Sequence, residues 1–313
     1  MTLSIRPGTA ADLDAADHIF RRAFGTFLGF PDPLTFSGDG AWVRSRFRIT
    51  PDAFWVAEDA GQLVGSVNAT RWGTVGFFGP LTIEPSRWNQ GVAQQLLAPV
   101  LQRFGEWNLT HSGLYTFAAS AKQVTLYAKF GFWPGNLVAI MAKPVSATAT
   151  AAPIDTIGGC PAGLRTVATI DCRLLADEIH AGLDLTAEID ALLAFEMGDV
   201  VLLRTDRGLD GFAACHTGPG TEADTGLCLV KFGAVRPGDG AATRFGRLLD
   251  ACEQLAASRG LATIAAGTSM GRRDAYGILR AHGFHTFAQG VTMHAGTTPG
   301  YHHPGAFVID DWR

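Results

Sequence analysis

The stretch Leu81-Thr82-Ile83-Glu84-Pro85-Ser86-Arg87-Trp88-Asn89-Gln90-Gly91-Val92-Ala93 reads as the end of a strand, a polar loop and the start of a helix. The first amides of a helix have no partner within it, and the helix dipole adds partial positive charge there. Small residues such as Gly91 and Ala93 let an anion come close to the backbone. The chemistry this pattern offers is a phosphate cradle. It is not a nucleotide loop of the Gly-Lys-Ser/Thr kind, and it lacks the Gly-x-Gly-x-x-Gly of dinucleotide sites. Taken alone, the motif is weak, and an ordinary strand-to-helix turn is the better explanation.

A second element follows some thirty residues on: Ser120-Ala-Lys-Gln-Val-Thr-Leu-Tyr-Ala-Lys-Phe-Gly-Phe-Trp133. Together the two segments resemble the GCN5-related N-acetyltransferase (GNAT) superfamily. Gly91 and Ala93 fill the small positions of its phosphate loop, and Tyr127, Gly131 and Phe132 fill its Leu-Tyr-x-x-x-Gly-Phe pattern. The resemblance covers most of residues 3–143. It implies acetyl-coenzyme A as co-substrate, without a metal. It assigns the pyrophosphate to the loop Trp88, Asn89, Gln90, Gly91, Val92 and Ala93, with Ser120 nearby. It also implies that the strand segment Leu81, Thr82 and Ile83 splays to free a backbone N–H for the oxyanion. Tyr127 is then the proton donor to the leaving thiolate, a phenol near pKa ~10 serving a thiol near ~8.5. Two positions depart from the family pattern. Trp88 stands where the family has Arg or Gln, with Arg87 one residue earlier as a substitute phosphate contact. Ser120 stands where asparagine is common.

The implied reaction is transfer of an acetyl group to a primary amine, on a small molecule or a peptide, by the N-terminal domain. Two other readings stay open: a non-catalytic acyl-coenzyme A-binding or regulatory protein, and catalysis by the C-terminal domain. The general base is not legible. Val75–Leu81 carries no acid; Glu84 reads as a solvated loop residue; His111 reads as structural; a water chain is an equal alternative. The end of the chain, with Asp310, Asp311 and the terminal carboxylate, is a further source of a base if it folds back on the first domain. Phe24–Phe36, with Asp32 between two prolines, is expected to line the acceptor site. Arg44, Arg46 and Arg48 alternate as on a solvated edge. His302-His303 reads as loop, since the ligand set for a metal is incomplete.

These residues need a scaffold, and the pattern supplies one. Leu3–Arg6 is strand-like. Thr9-Ala-Ala-Asp12 resembles a capping box before a helix with Ile19, Phe20 and Phe24 on one face. Phe54–Ala57 and Leu63–Val67 form a hairpin about Gly61, and a third strand runs from about Val75 to Ile83. A helix from about Gln90 carries Val92, Leu96, Leu97, Val100 and Phe104, with a bend expected at Pro99. Leu114–Ala118 is a strand, and Lys122–Phe130 is a helix closed by Gly131. The second half reads as a repeat: a strand at Leu164–Ile170, helices from Cys172 to Phe195, a hairpin from Val200 to Cys215, a strand at Leu227–Val235, a helix at Ala242–Arg259, a strand at Leu261–Ala266 and a helix at Arg272–His282. Aligning its leucines with Leu96-Leu97 puts Thr243 at the Gly91 position and Phe245, too large for a pyrophosphate, at the Ala93 position. The second half is therefore read as a degenerate copy. The expected fold is α/β: two tandem GNAT-like domains, each a mixed β-sheet flanked by helices, at 1–145 and 161–313, joined by a Pro/Ala/Thr/Gly-rich linker at 146–160.

The whole-chain figures exclude several classes. The chain has 313 residues, 17% of them charged, with a net charge of -4. That composition fits neither a coiled coil nor a disordered chain, and it shows no overall basic footprint for nucleic acid. No apolar run approaches a membrane span, and no signal peptide is recognisable, so a cytoplasmic location is expected. A homodimer is compatible with the sequence. The five cysteines all lie in the second half without Cys-x-x-Cys spacing and read as buried thiols.

Overall fold

The computed structural model describes residues 3–146, 149, 153–296 and 300–312. The N-terminal Met1-Thr2, linker positions 147, 148 and 150–152, and Arg313 with the terminal carboxylate lie outside the described residues. In chain order the first half is β1 (Leu3–Pro7), α1 (Leu13–Leu28), α2 (Trp42–Ile49), β2 (Phe54–Asp59), β3 (Gln62–Trp72), β4 (Val75–Ile83), α3 (Val92–Glu106), β5 (His111–Thr116), α4 (Ala121–Lys129) and β6 (Phe132–Pro144). The second is α5 (Ala162–Ile179), α6 (Thr186–Ala194), β7 (Gly198–Thr205), β8 (Gly208–Thr217), β9 (Leu227–Val235), α7 (Ala241–Ser258), β10 (Thr263–Ser269), α8 (Arg273–Ala281), β11 (His285–Ala295) and β12 (Val308–Ile309).

Local sequence explains most of these elements. Ala60 and Gly61 both have positive φ, the pairing of a two-residue turn that matches strand twist, and they close the β2–β3 hairpin. The Thr9–Asp12 capping box forms and opens the 3-10 turn that leads into α1. In α3 the buried residues are Val92, Leu96, Leu97, Val100 and Phe104, a single stripe at helical spacing, with Pro99 inside the helix. Gly131 and Gly283 end the two short helices with φ of +86°, a conformation that favours glycine.

Strand order is β1-β2-β3-β4-β5-β11-β6-β10-β9-β8-β7, with β12 added to β9. β4–β5 and β9–β10 are parallel. β11 inserts between β5 and β6, and β6 pairs with β10, so each half hands its last long strand to the other. The result is one mixed sheet running through both halves. Neither β6 nor β11 was expected from local pattern, because their partners are remote in sequence. Three large cores flank the sheet, beside smaller ones under α1 and α2 and around Leu229. One under α3 and α4 unites Leu96, Leu97, Phe78 and Phe132 with Val291 and Met293 of β11. One under α7 holds Phe245, Leu248, Leu249 and Cys252. The largest joins the halves, with Trp72 and Phe77 against Leu175, Phe232 and Trp312.

Three expectations need correction. Leu164–Ile170 is not a strand but part of α5. Ala168, Cys172, Leu175 and Ala176 are buried at helical spacing, while Leu164, Val167, Ile170 and Leu174 face outward. β5 begins at His111 and ends at Thr116, because its first four residues pair with the first four of β4. Arg44, Arg46 and Arg48 lie on a helix, α2, and the side chain of Arg46 is 1% exposed. Cys172, Cys215, Cys228 and Cys252 are buried and, with the half-buried Cys160, are all free thiols.

Candidate active site

β4 and β5 are paired from Val75–Phe78 to His111–Leu114 and then part. On its other edge β4 bulges against β3: Val67 pairs with Leu81 and Ala69 with Phe78, leaving Gly79 and Pro80 opposite Asn68 alone. Beyond the bulge Leu81–Ile83 stay paired with Val67–Gly65 of β3, while the edge toward β5 is no longer covered by that strand. A cavity of about 570 Å³ opens where the strands part. It is lined by Leu81, Thr82, Ile83, Trp88, Asn89, Gly91, Val92, Ala93, Ser120 and Tyr127, so every site residue expected from the sequence meets there except Gln90. The Gln90 amide is turned back onto the Ser86 carbonyl at 3.0 Å.

The α3 end of the cavity suits an anion. Gly91 caps the helix at φ 79°, ψ 4°, with no side-chain cap, so the first amides of α3 stay free for a ligand. The charged residues lining the cavity are all cations: Arg87, Lys122 and Lys129. Arg87, which lines the cavity, is also paired with Asp59 at 2.9 Å. Trp88 donates its indole N–H to the Ile83 carbonyl at 2.8 Å and bridges the loop. Lys122, missed by the sequence reading, lies over the Trp88 ring at 5.6 Å. Its position two residues after Ser120 was the available signal.

Tyr127 sits in the last turn of α4, edge-on to Phe78 at 5.6 Å. Burial pushes its phenol well above the ordinary tyrosine range, so it keeps its proton at neutral pH. Ser120 caps α4 by accepting from the Gln123 amide at 3.4 Å. On the opposite wall α1 contributes Ala23, Phe24 and Phe27. Phe24 and Phe27 contact Phe117 at 6.1 and 5.0 Å, and Phe27 is 40% exposed. This mouth is aromatic, while the α3 mouth is cationic.

Glu84, His111 and Asp310 are held away from this role, and the terminal carboxylate lies outside the described residues. Glu84 is not free in solvent: Arg22 donates to it at 2.8 Å. His111 is at the start of β5, level with Val75 and so about 20 Å along the strand from Leu81. The chain end does reach the first half, since Trp312 stacks on Phe77 at 5.7 Å. It does not bring Asp310 to the cavity, because Asp310 is buried and accepts from Tyr301 Oη at 2.6 Å.

The second half carries a matching frame. β9 and β10 pair over Leu227–Val230 and Thr263–Ala266 and then part, in the register of β4 and β5. Gly240 caps α7 at φ 78°, ψ 4°, the conformation of Gly91. This corrects the alignment that put Thr243 and Phe245 at the loop positions: the connection after β9 is three residues shorter, and Gly240 takes the Gly91 place. Phe245 is a core residue of α7 and not what closes this cleft. β12 does. Val308 and Ile309 pair with Ala234 and Gly233, and β8 already holds the other edge of β9 there. The Asp310 amide donates to the Gly267 carbonyl of β10 at 2.9 Å. Arg272, fully buried at the head of α8, donates to the carbonyls of Tyr301, Val308 and Asp310. The tail is thus built into the gap that in the first half is a cavity.

His302 is also not an isolated loop residue. His111, His294 and His302 are buried, with ring nitrogens within 4.8 Å of one another. His294 Nδ1 lies 3.1 Å from His111 Nε2. Arg272 points its guanidinium at His302 Nδ1 from 3.2 Å, which puts the proton of the neutral ring on Nε2. A metal-bound imidazole needs the reverse, an acceptor for its second N–H. Together with the adjacent guanidinium, this favours packed neutral imidazoles over a cation site. Burial pushes His111 down to about 3 and His294 to about 4.

Residues 14–132 match the acetyltransferase (GNAT) family. Among solved structures, a candidate acetyltransferase from Pyrococcus horikoshii aligns with a TM-score of 0.68 at 15% identity, covering 99% of this chain and 95% of that one. A GCN5-related N-acetyltransferase from Sphaerobacter thermophilus aligns at 0.60 and 15% identity, covering 95% and 96%. A tandem GNAT protein from the clavulanic acid biosynthesis pathway aligns at 0.54 and 14%, covering 95% and 99%. No curated protein sequence matches the chain. At these identities the structural likeness speaks for the fold: the whole chain has the tandem GNAT architecture. Among the described residues no helix is long and apolar enough to cross a membrane.

Proposed function

We propose, from the premise that residues 14–132 form a domain of the acetyltransferase (GNAT) family, that this chain transfers an acetyl group from acetyl-coenzyme A to a primary amine at the cavity between β4 and β5. One observation carries this reading. A single cavity combines the free amides of α3, cationic side chains and a proton-bearing phenol beside the stretch of β4 that has parted from β5. The α3 amides and Lys122 suit the phosphates. The thioester then extends along Leu81–Ile83, whose backbone faces the cavity and suits the developing oxyanion. Attack by the amine forms the new C–N bond. Collapse breaks the C–S bond, and Tyr127 gives its proton to the departing thiolate. No carboxylate lines the cavity among the described residues, so the amine's proton passes to water in this reading.

The acceptor enters past Phe24, Phe27 and Phe117. An aromatic mouth without an acid favours an amine on an apolar body over a polycation. The same lack of an acid favours, as a second reading, an acyl-coenzyme A-binding protein that does not turn over. Calorimetry with acetyl-coenzyme A on the native chain and on Gly91→Glu tests the placement. One site per chain, lost in Gly91→Glu, is expected, because the variant puts a carboxylate among the amides at a positive φ and because β12 fills the second gap. Two sites, or binding that survives the substitution, would move the coenzyme elsewhere. Acetylation of an amine panel separates enzyme from binder.

A further inference from the structure

A buried polar network ties the second half to the bulge of β4. Arg46 of α2 donates Nη1 to the Gly79 carbonyl at 2.7 Å. Its other two nitrogens go to both carboxylate oxygens of Glu222, at 3.1 and 3.2 Å. Glu222 lies in the loop between β8 and β9 and also accepts from Lys231 of β9. The Glu222 amide donates to His216 Nδ1 at 3.4 Å, and His216 Nε2 lies 3.2 Å from Glu188 of α6. Glu188 in turn accepts from the Trp72 indole at 3.1 Å. The network therefore runs from Gly79 to Arg46, leaves the first half there, passes through the β8–β9 loop, β8 and α6, and returns at Trp72. Its members are almost entirely shielded from water. The guanidinium of Arg46 is further held between the rings of Trp42 and Phe77, at 5.5 and 5.8 Å.

Such a site is costly to build. Two buried charges repay their desolvation only with good geometry and satisfied partners, and apolar replacements of similar volume often serve stability as well. What an apolar pair would not supply is a fixed donor on the Gly79 carbonyl. Gly79 is the bulged residue two positions before Leu81, where β4 turns into the cavity wall. We propose that Glu222 and Arg46 are positioning residues for transfer: the second half, through Glu222, orients Arg46, and Arg46 sets the direction in which Leu81–Ile83 faces the thioester. The inference rests on the reading of the cavity as the transfer site. It gives the second half a part in a reaction that its own closed cleft does not perform.

Arg46→Lys tests it. Lysine keeps the charge for Glu222 but has no planar fork to serve both Glu222 and Gly79. The expected result is a kcat lowered about 10- to 100-fold, the scale of a misplacement of up to ~1 Å. The KM for acetyl-coenzyme A should stay within about twofold, and amide exchange at Leu81–Ile83 should be faster than in the native chain. If Arg46→Lys fails to fold, the triple variant Arg46→Met, Glu222→Met, Lys231→Met removes the charges together, and the same kcat loss is expected. A folded variant with native kcat and native exchange in β4 overturns the proposal. So does a parallel loss of kcat, coenzyme affinity and thermal stability, which marks a purely structural role. If the native chain binds no acetyl-coenzyme A, the cavity reading fails by itself, and the exchange data still decide whether Glu222 and Arg46 hold β4.

Discussion

Tyr127 carries the most specific chemistry of any residue here. Its ring is packed against Phe78 and its phenol is raised by burial. In the proposed transfer this phenol, a weaker acid for being raised but fully protonated at neutral pH, would serve as a hydrogen-bond donor to the departing thiolate. Tyr127→Phe should lower kcat by about 10²- to 10⁴-fold, the range for a positioned acid. Coenzyme affinity measured by calorimetry should stay near native, because the ring remains. The native pH profile should show no loss of activity from Tyr127 ionisation below about pH 10. A kcat unchanged in Tyr127→Phe would leave protonation of the thiolate to water. The place of Tyr127 on the cavity wall agrees with the expectation from the family's Leu-Tyr-x-x-x-Gly-Phe pattern, whose residues are close in sequence. Lys122 is equally local and was passed over. Arg46 and Glu222 were not legible in principle, since 176 positions separate them and only the fold brings them together.

Among elements, legibility followed the range of the determining contacts. Hairpins, caps and the α3 stripe are set within a few residues, and they form as the sequence indicates. β6 and β11 are set by each other and by β5 and β10, so their pairing had no local sign. α5 shows a different failure. The segment Leu164–Ile170 is apolar enough to read as a strand, yet its Leu164, Val167 and Ile170 face outward. The buried stripe is the less conspicuous Ala168, Cys172, Leu175 and Ala176. The two faces make opposite predictions. Leu175→Ala should cost about 2–5 kcal/mol in denaturant unfolding, as a core truncation does. Val167→Lys, on the outer face, should change stability by no more than about 0.5 kcal/mol. A large cost for Val167→Lys would mean that the outer stripe is covered in solution.

For the whole molecule, the two halves share a sheet, a core and a cluster of buried histidines where β5, β11 and the C-terminal segment meet. That cluster makes the joint sensitive to acid. His111 and His294 are held to about 3 and 4 by burial, and His302 is held well below its ordinary value. In the unfolded chain each titrates near ~6.5. Below that pH the unfolded state binds protons that the folded state refuses, so stability is full above about pH 6.5 and falls as the pH drops. Asp310, pushed up to about 6 mainly by burial against the pull of Arg272, does the reverse. It gains a proton in the folded state across the same window and offsets one histidine. Within this cluster the histidines, with His180 also lowered by burial, outnumber that one carboxyl, so the net contribution to stability falls as the pH drops below about 6.5. Glu222 adds nothing in this window: its folded pKa lies below the usual carboxylate range, so its contribution is lost only at more acid pH. Urea unfolding at pH 7, 6 and 5 should show this fall, and it should be shallower in His111→Gln by about one proton's share. A native slope near zero between pH 6 and 5 would mean that the histidines open to water and accept protons without disturbing the joint. The joint would then be looser than the packing of His111, His302 and Trp312 implies.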